Sequence, residues 1–176
     1  NEKQGEINLA DFIKSAPISK EELLSGVLSY IEKIEYSDVK EIVNKIFDEK
    51  LDKISEYPAA TRNHHDYYCG LLHHTLGMLK IAENICDLHS NVDRSMLYAG
   101  AILHDIGKTV EFSGAVLPKY TVEGKLIGHI SIMSALVKET ANKLGIPFVI
   151  VIGEDEIKSG MYTIKNMQEG LQEQMT

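Results

Sequence analysis

Apolar residues recur at helical spacing along most of the chain, and this periodicity limits what it can fold into. Ser19 and Glu22 form an S-x-x-E capping box at the start of one such stretch. A second stretch opens at Ser37 and ends where Tyr57-Pro58 stops the helix. The apolar positions of these two helices are Leu23, Leu24, Val27, Leu28, Ile31 and Ile34, then Val39, Ile42, Val43, Ile46, Phe47, Leu51 and Ile54.

The next two helices follow the same rule. The third is predicted to begin after Arg62 or near Gly70, and Asp93 can cap the fourth, which Gly107 can end. Their apolar positions are Leu71, Leu72, Leu76, Leu79, Ala82, Ile85 and Leu88, then Met96, Leu97, Gly100, Ala101 and Leu103. The pattern therefore continues to predict packed amphipathic helices.

A loop is predicted from about Thr109 to Gly128, and a fifth helix follows and closes at Gly145 and Pro147. Its apolar positions are Ile130, Met133, Leu136, Val137, Ala141 and Leu144. The last residues differ, because FVIVIG and MYTIKNM are β-branched runs separated by the acidic GEDEIKSG. This end of the chain is predicted to form strand, short helix or turn, strand. The fold class is therefore mainly α with a short β-containing C-terminal tail.

Composition narrows the classes of function. The chain has 176 residues, 44% of them hydrophobic, which is enough to bury one sizeable core. The formal net charge of -8 argues against nonspecific nucleic-acid binding by the whole surface, so a phosphate substrate requires a local patch or a metal. No long apolar run or signal-type leader is visible, so we expect no membrane span and a cytoplasmic protein. Cys69 and Cys86 lack CxxC spacing and are expected to be reduced thiols.

His104 and Asp105 stand side by side in AGAILHDIGK, in the last turn of the fourth predicted helix, with His74 upstream and His129 downstream. Imidazole and carboxylate together suit a divalent cation such as Zn, Mn, Fe, Co or Ni, and an incomplete shell leaves room for an activated water. The ordinary alternatives are an N–H···carboxylate hydrogen bond or an exposed face for the pair, and a satisfied core histidine for His74. The combination favours a metal-dependent hydrolase.

Three blocks of the sequence carry a family resemblance. GLLHHTLGML, LYAGAILHDIGK and YTVEGKLIGHISIM resemble the HD-domain metal-dependent phosphohydrolases, in particular the HD domain of the YhaM-type 3′-5′ exoribonucleases. YPAATRNHHDYYCG and the linker ADFIKSAPISKEEL are similar too, so the resemblance covers roughly Ile7 to Gly145. It implies a linker at residues 1–17, an HD-type helical bundle at 18–146, and a tail of different character at 147–176.

The resemblance also implies a role for each matched residue. His74 corresponds to the first metal-binding histidine, and His104 with Asp105 to the His-Asp pair. His129 corresponds to a third histidine, used for a second metal or for substrate phosphate. Lys108 corresponds to a lysine near the scissile phosphate, so Asp105 and Lys108 are the expected catalytic residues. Because the first histidine and the pair lie on different helices of a bundle, they can project into one core site.

The polar stretch before the third helix allows two interpretations. Arg62, Asn63, His64 and His65 form either a loop that caps the helix or a cluster that binds phosphate or shuttles a proton. The resemblance favours the second role for Arg62 and His65, and does not decide for Asn63. Neighbouring helical residues face different ways, so His73 is expected to be exposed or to support the site rather than to be a ligand. The expected substrate-binding residues are Arg62, His65, Lys108 and His129.

The sequence departs from the resemblance after the fifth helix. Relatives of this type carry a later His-His pair and a closing Asp, whereas no histidine follows His129. We therefore expect at most one ion. Glu154 or Asp155 could replace the missing carboxylate, although an acidic, solvated turn is their ordinary state. The segment LGIPFVIVIGEDEIKSGMYTIKNMQEG is instead similar to the end of the anticodon-binding domain of histidyl-tRNA synthetase, which indicates a junction.

These observations leave three functions open. The first is a metal-dependent 3′-5′ exoribonuclease that acts on single-stranded RNA or DNA. The second is a nucleotide or signalling-nucleotide phosphohydrolase. The third is a catalytically impaired HD binding module with an incomplete metal site. Relatives of this type also carry an OB-type nucleic-acid-binding domain ahead of the HD unit, and the sequence begins at about the linker that would follow it, so we expect weak RNA binding.

Overall fold

Helices make up most of the described chain. The computed structural model describes residues 14–62, 65–146, 148–151, 158–166 and 171–175. These ranges contain the helices α1 (Lys20–Glu32), α2 (Ser37–Ile54), α3 (Gly70–Leu88), α4 (Arg94–Leu103), α5 (Lys108–Glu111) and α6 (Val122–Lys143). They also contain the strands β1 (Phe148–Val151), β2 (Tyr162–Asn166) and β3 (Gln172–Met175). The sequence predictions for Asn63, His64, Pro147, Glu154 and Asp155 fall outside the described residues.

Short polar contacts fix where the helices begin. At α1 the Glu22 backbone N–H donates to Ser19 Oγ over 3.2 Å, and the Glu22 carboxylate accepts from the Ser19 backbone N–H in return. At α4 the Asp93 carboxylate accepts from the Met96 backbone N–H over 2.9 Å. Each contact satisfies an N–H that has no partner within its own helix. The predicted capping box and the predicted Asp93 cap are confirmed.

The core lies where α3 packs against α1 and α4, and where α2 packs against α4. Gly26 of α1 lies against Leu76 of α3, where an added Cβ would come within 2.9 Å of the leucine side chain, so the glycine permits a close approach of the two helices. The largest fully buried side chains are Tyr98, Phe47, Leu23, Ile31, Ile46, Ile54, Leu71, Leu72, Leu79, Ile102, Val27 and Val43. The predicted mainly helical fold is confirmed.

The segment predicted as a loop from Thr109 to Gly128 is partly helical, and that prediction was wrong. Helix α5 occupies its start, and α6 begins at Val122, where Thr121 Oγ1 accepts from the Gly124 backbone N–H over 2.9 Å. Two glycines concealed this helix in the sequence, since glycine usually interrupts helices. Gly128 does break α6, because its φ of 75° and ψ of 155° are not helical.

The C-terminal strands form one antiparallel sheet in the order β1-β2-β3. Phe148 lies opposite Asn166, and Tyr162 lies opposite Met175. The two predicted strands are confirmed, whereas β3 was not predicted. Its sequence QEQM carries no β-branched residue and all four positions are exposed, so pairing with β2 rather than residue propensity makes it a strand.

Backbone contacts divide the chain into two units, the first ending at Met133 and the second beginning at Ser134. The predicted domain boundary near residue 147 stays a prediction. Cys69 and Cys86 are both buried and free, as expected. Among the described helices, none combines the length and the apolar character that crossing a membrane requires.

The packing of α3 predicts unequal effects of one substitution at its two faces. Leu79 is fully buried, so Leu79→Ala is expected to lower the free energy of unfolding by about 2–5 kcal/mol. Leu88 is 79% exposed, so Leu88→Ala is expected to change it by about 0.5 kcal/mol or less. Urea denaturation followed by circular dichroism measures both variants. Equal losses would contradict the observed packing.

Candidate metal centre

Side chains from three neighbouring parts of the fold meet beside the core. His74 lies within α3, His104 caps the C-terminal end of α4, and Asp105 follows it in the turn before α5. The fourth helix ends at Leu103, slightly earlier than predicted. Because α3 and α4 pack against each other, a residue on one can meet the end of the other. The chain therefore brings together residues that are far apart in sequence.

The donor atoms form a nearly equilateral triangle. His74 Nε2 lies 3.2 Å from His104 Nε2 and 3.3 Å from Asp105 Oδ2, and His104 Nε2 lies 3.3 Å from the same oxygen. In the described part of the chain these three residues are the group whose donor atoms converge closely enough to hold an ion. Ligands that bind one ion at about 2.0–2.2 Å are themselves about 3.0–3.5 Å apart. The donor set fits a divalent metal ion.

Asp105 is the centre of this cluster. Asp105 is 4% exposed, and the two oxygens of its carboxylate have different neighbours. Oδ2 faces the two imidazoles and lies 2.8 Å from Lys108 Nζ, whereas Oδ1 lies 3.4 Å from His129 Nε2. Burial alone raises the pKa of the Asp105 carboxyl, but hydrogen bonds from His104 and Lys108 lower it more, so the pKa lies well below its usual range. Asp105 is therefore a carboxylate at neutral pH.

The two imidazoles have different environments. Burial lowers the pKa of His74, so its ring is neutral at neutral pH, which is the form that binds a metal. The hydrogen bond to Asp105 raises the pKa of His104. His104 Nδ1 lies 2.9 Å from the Ala101 carbonyl oxygen, which accepts from it and leaves Nε2 directed toward Asp105. A partner on the second ring nitrogen is typical of histidines that bind metals.

His129 directly follows the break at Gly128 and contacts the cluster from this position. Its backbone packs against Gly107, where an added Cβ would collide with the His129 carbonyl oxygen. The close approach explains this glycine better than helix termination does, since its φ of -55° is ordinary. On its other side the ring contacts Glu111, a buried carboxylate that the sequence analysis missed. The only signal was a glutamate inside the apolar run TVEF.

The remaining predicted residues lie around the cluster or apart from it. The His65 ring lies 5.4 Å from that of His74 and 5.0 Å from that of His73, centroid to centroid. His73 Nδ1 lies 2.6 Å from the Tyr67 hydroxyl, outside the donor triangle. Arg62 is exposed, and no hydrogen bond or ion pair joins it to another described residue. Helix α3 has no side-chain cap, so the preceding polar loop does not cap it in the described structure.

Comparisons with known proteins identify a family and several relatives of the chain. The protein-family model described as the HD domain matches residues 71–171 of this chain. The 3′-5′ exoribonuclease YhaM of Bacillus pumilus is 41% identical over 141 residues, which are 80% of this chain and 45% of the relative. Its counterpart in Bacillus subtilis is 42% identical over 144 residues, 82% of this chain and 46% of the relative. The protein of the same name from Listeria welshimeri is 41% identical over 140 residues, 80% and 45% of the two chains.

The chain belongs to the HD-domain family. It spans less than half the length of the relatives quoted above. No solved structure matches it. The similarity of the tail to histidyl-tRNA synthetase stays a prediction, as do the roles assigned to individual site residues.

The donor triangle predicts which side chains metal binding requires. His104→Ala and Asp105→Ala are each expected to remove bound divalent metal and to leave helical content nearly intact, because both residues lie at a helix end. Elemental analysis beside circular dichroism measures the two effects. His89→Ala, at the exposed C-terminal cap of α3, is the matched control and should keep its metal. Unchanged metal stoichiometry in both site variants would rule out the assignment.

Proposed function

We propose that this chain carries the hydrolytic centre of a metal-dependent 3′-5′ exoribonuclease that acts on single-stranded RNA. The convergence of His74, His104 and Asp105 carries the proposal, since these donors suit a divalent ion and leave part of its coordination shell to water. Relatives that are 41–42% identical are named 3′-5′ exoribonucleases. Membership of the HD-domain family supports the same chemistry.

Three residues would hold the ion, and the site keeps an open side. Asp105 supplies a carboxylate oxygen, while His74 and His104 supply Nε2. When bound, a divalent ion here supplies an activated water or hydroxide and neutralises charge on the phosphate. The side chains of His74 and His104 are 27% and 37% exposed, so the cluster borders solvent and is not enclosed in the core. These roles fit hydrolysis of a phosphodiester by in-line attack.

Lys108 is the cation placed to act on substrate charge. Its ammonium lies 2.8 Å from Asp105 Oδ2 and its side chain is 16% exposed, so it is held beside the donor triangle. A lysine in this position can stabilise the negative charge that develops on phosphate oxygens during attack. We assign it that role, and we assign the binding of substrate phosphate to His129, His65 and Arg62.

The charge of the chain makes local contacts important for binding. The net charge of -8 disfavours nonspecific binding of the nucleic-acid backbone by the whole surface. Binding then depends on the few cations near the centre, which suits the end of a single strand better than a long duplex. Mn²⁺, Fe²⁺, Co²⁺, Ni²⁺ and Zn²⁺ are all compatible with two imidazoles and a carboxylate.

Lys108→Met tests the assigned role of the lysine. Turnover is expected to fall by about 10²–10³-fold, because a stabilising contact to the transition state is lost. Metal content should not fall, since Lys108 is not one of the donors. Lys119→Met removes an exposed lysine elsewhere and is expected to leave both quantities unchanged. Equal turnover in the Lys108 variant and the unaltered chain would remove this role.

Substrate class is tested with the Mn²⁺-loaded protein and three substrates. Single-stranded RNA carrying a 5′ label is expected to shorten from its 3′ end and to release mononucleotides. DNA of the same sequence measures the preference between the two polymers. Faster hydrolysis of free nucleotides would favour a nucleotide phosphohydrolase. Metal binding without cleavage of any substrate would show an HD module that only binds.

A further inference from the structure

Glu111 is a buried acidic residue that contacts His129. It belongs to α5 and is 6% exposed. Its Oε1 lies 3.2 Å from the His129 backbone nitrogen and 3.2 Å from His129 Nδ1. Within the described residues both hydrogen bonds of this carboxylate go to His129. A carboxylate is costly to bury without such partners, so the pairing is a strong local constraint.

The two hydrogen bonds determine the direction of the imidazole. Because the Glu111 carboxylate only accepts, His129 must carry a proton on Nδ1 to donate to it. The opposite nitrogen, Nε2, lies on the side of Asp105, 3.4 Å from Oδ1. Histidines that bind metals commonly donate their second N–H to a carboxylate in this way.

The backbone bond has a separate cause. The break at Gly128 starts a new helical segment, and the N–H groups at a helix start have no acceptor within the helix. Glu111 accepts from the first of these, the N–H of His129. A negative charge at a helix start is also favourable toward the helix dipole. The same carboxylate therefore holds both the backbone and the ring of His129.

Two glycines keep this arrangement in place. An added Cβ on Gly124 would lie 2.6 Å from the Glu111 carbonyl oxygen, and one on Gly107 would collide with the His129 carbonyl oxygen. The Thr121 backbone N–H donates to that same Glu111 carbonyl oxygen over 2.9 Å. Close backbone packing thus fixes the backbone at both ends of the Glu111–His129 contact.

We infer that Glu111 is a positioning residue, which holds His129 with Nε2 toward Asp105 and acts on the metal centre only through His129. The inference rests on the proposed function for its effect on metal, but the orientation of the ring can be measured without metal. The competing account is that Glu111 only stabilises the start of the helical segment after Gly128. In that case its loss would not change the ring of His129 specifically.

The first measurement uses metal-free protein and long-range nitrogen–proton NMR of the histidine rings, at a pH where they are neutral. In the unaltered chain His129 is expected to carry its proton on Nδ1. Glu111→Ala should shift it toward the Nε2-protonated form, and Glu111→Gln should shift it less, because an amide oxygen is a weaker acceptor than a carboxylate. Glu83→Ala, which removes a carboxylate bound to Lys33 and Tyr30, is the control and should leave His129 unchanged.

The second measurement is a Co²⁺ titration of the same variants. Glu111→Ala is expected to weaken binding by about 10-fold, because a displaced His129 no longer lies beside Asp105, which is one of the three donors. In a His129→Ala background the same change should cause no further loss, because the two residues act as one unit. An equal loss in both backgrounds would overturn the inference.

The two measurements separate the inference from the proposed function. If the unaltered chain binds no Co²⁺, the proposed function fails, while the NMR result still decides whether Glu111 positions His129. If Glu111→Ala does not fold, Glu111→Leu decides, because leucine fills similar space and has no acceptor. A folded Glu111→Leu variant with an unchanged His129 tautomer would overturn the inference, and a shift toward the Nε2-protonated form would support it.

Discussion

The site depends on the interactions of the buried Asp105 carboxylate with its neighbours. A charge in a protein interior is stable only when nearby groups compensate for its lost hydration. Here His74, His104, Lys108 and His129 surround it within 3.4 Å. Removing these partners would leave the charge of the carboxylate uncompensated. Contacts to this group therefore link the helices that carry them. The same carboxylate thus serves as a donor for the metal and as the charge that the surrounding residues compensate.

Rigid elements bring these partners to Asp105. The packing of α3 on α4 places His74 beside His104, and the short turn into α5 places Lys108 one helical turn after Asp105. His129 arrives by a different route, through the break at Gly128. His74 lies within α3, while His104 and Asp105 lie at the end of α4 and in the turn after it, so the packing of α3 on α4 keeps the three donors close together.

The chemistry of the centre follows from unequal environments. Burial raises the pKa of the Asp105 carboxyl, but its hydrogen bonds lower it more, so the net shift is downward. Burial lowers the pKa of His74. Both groups are then in the form that binds a cation at neutral pH. Both imidazoles are partly exposed, so the centre borders solvent. These properties suit the hydrolysis expected of the HD-domain family better than a purely structural role.

Several features were determined by the sequence alone. Helical periodicity and capping residues located α1 to α4, since caps and apolar stripes are local signals. The motif blocks singled out His74, His104 and Asp105, which the fold does bring together. The β-branched runs marked β1 and β2. Each of these depends on residues close together in the chain.

Only the tertiary structure decided the rest. Glu111 becomes important through a residue in another helix, and β3 becomes a strand by pairing with β2. Gly107 and Gly124 look like helix breakers in the sequence, whereas in the structure they permit close backbone approaches. No local pattern encodes these contacts, because their energy arises between segments that folding brings together.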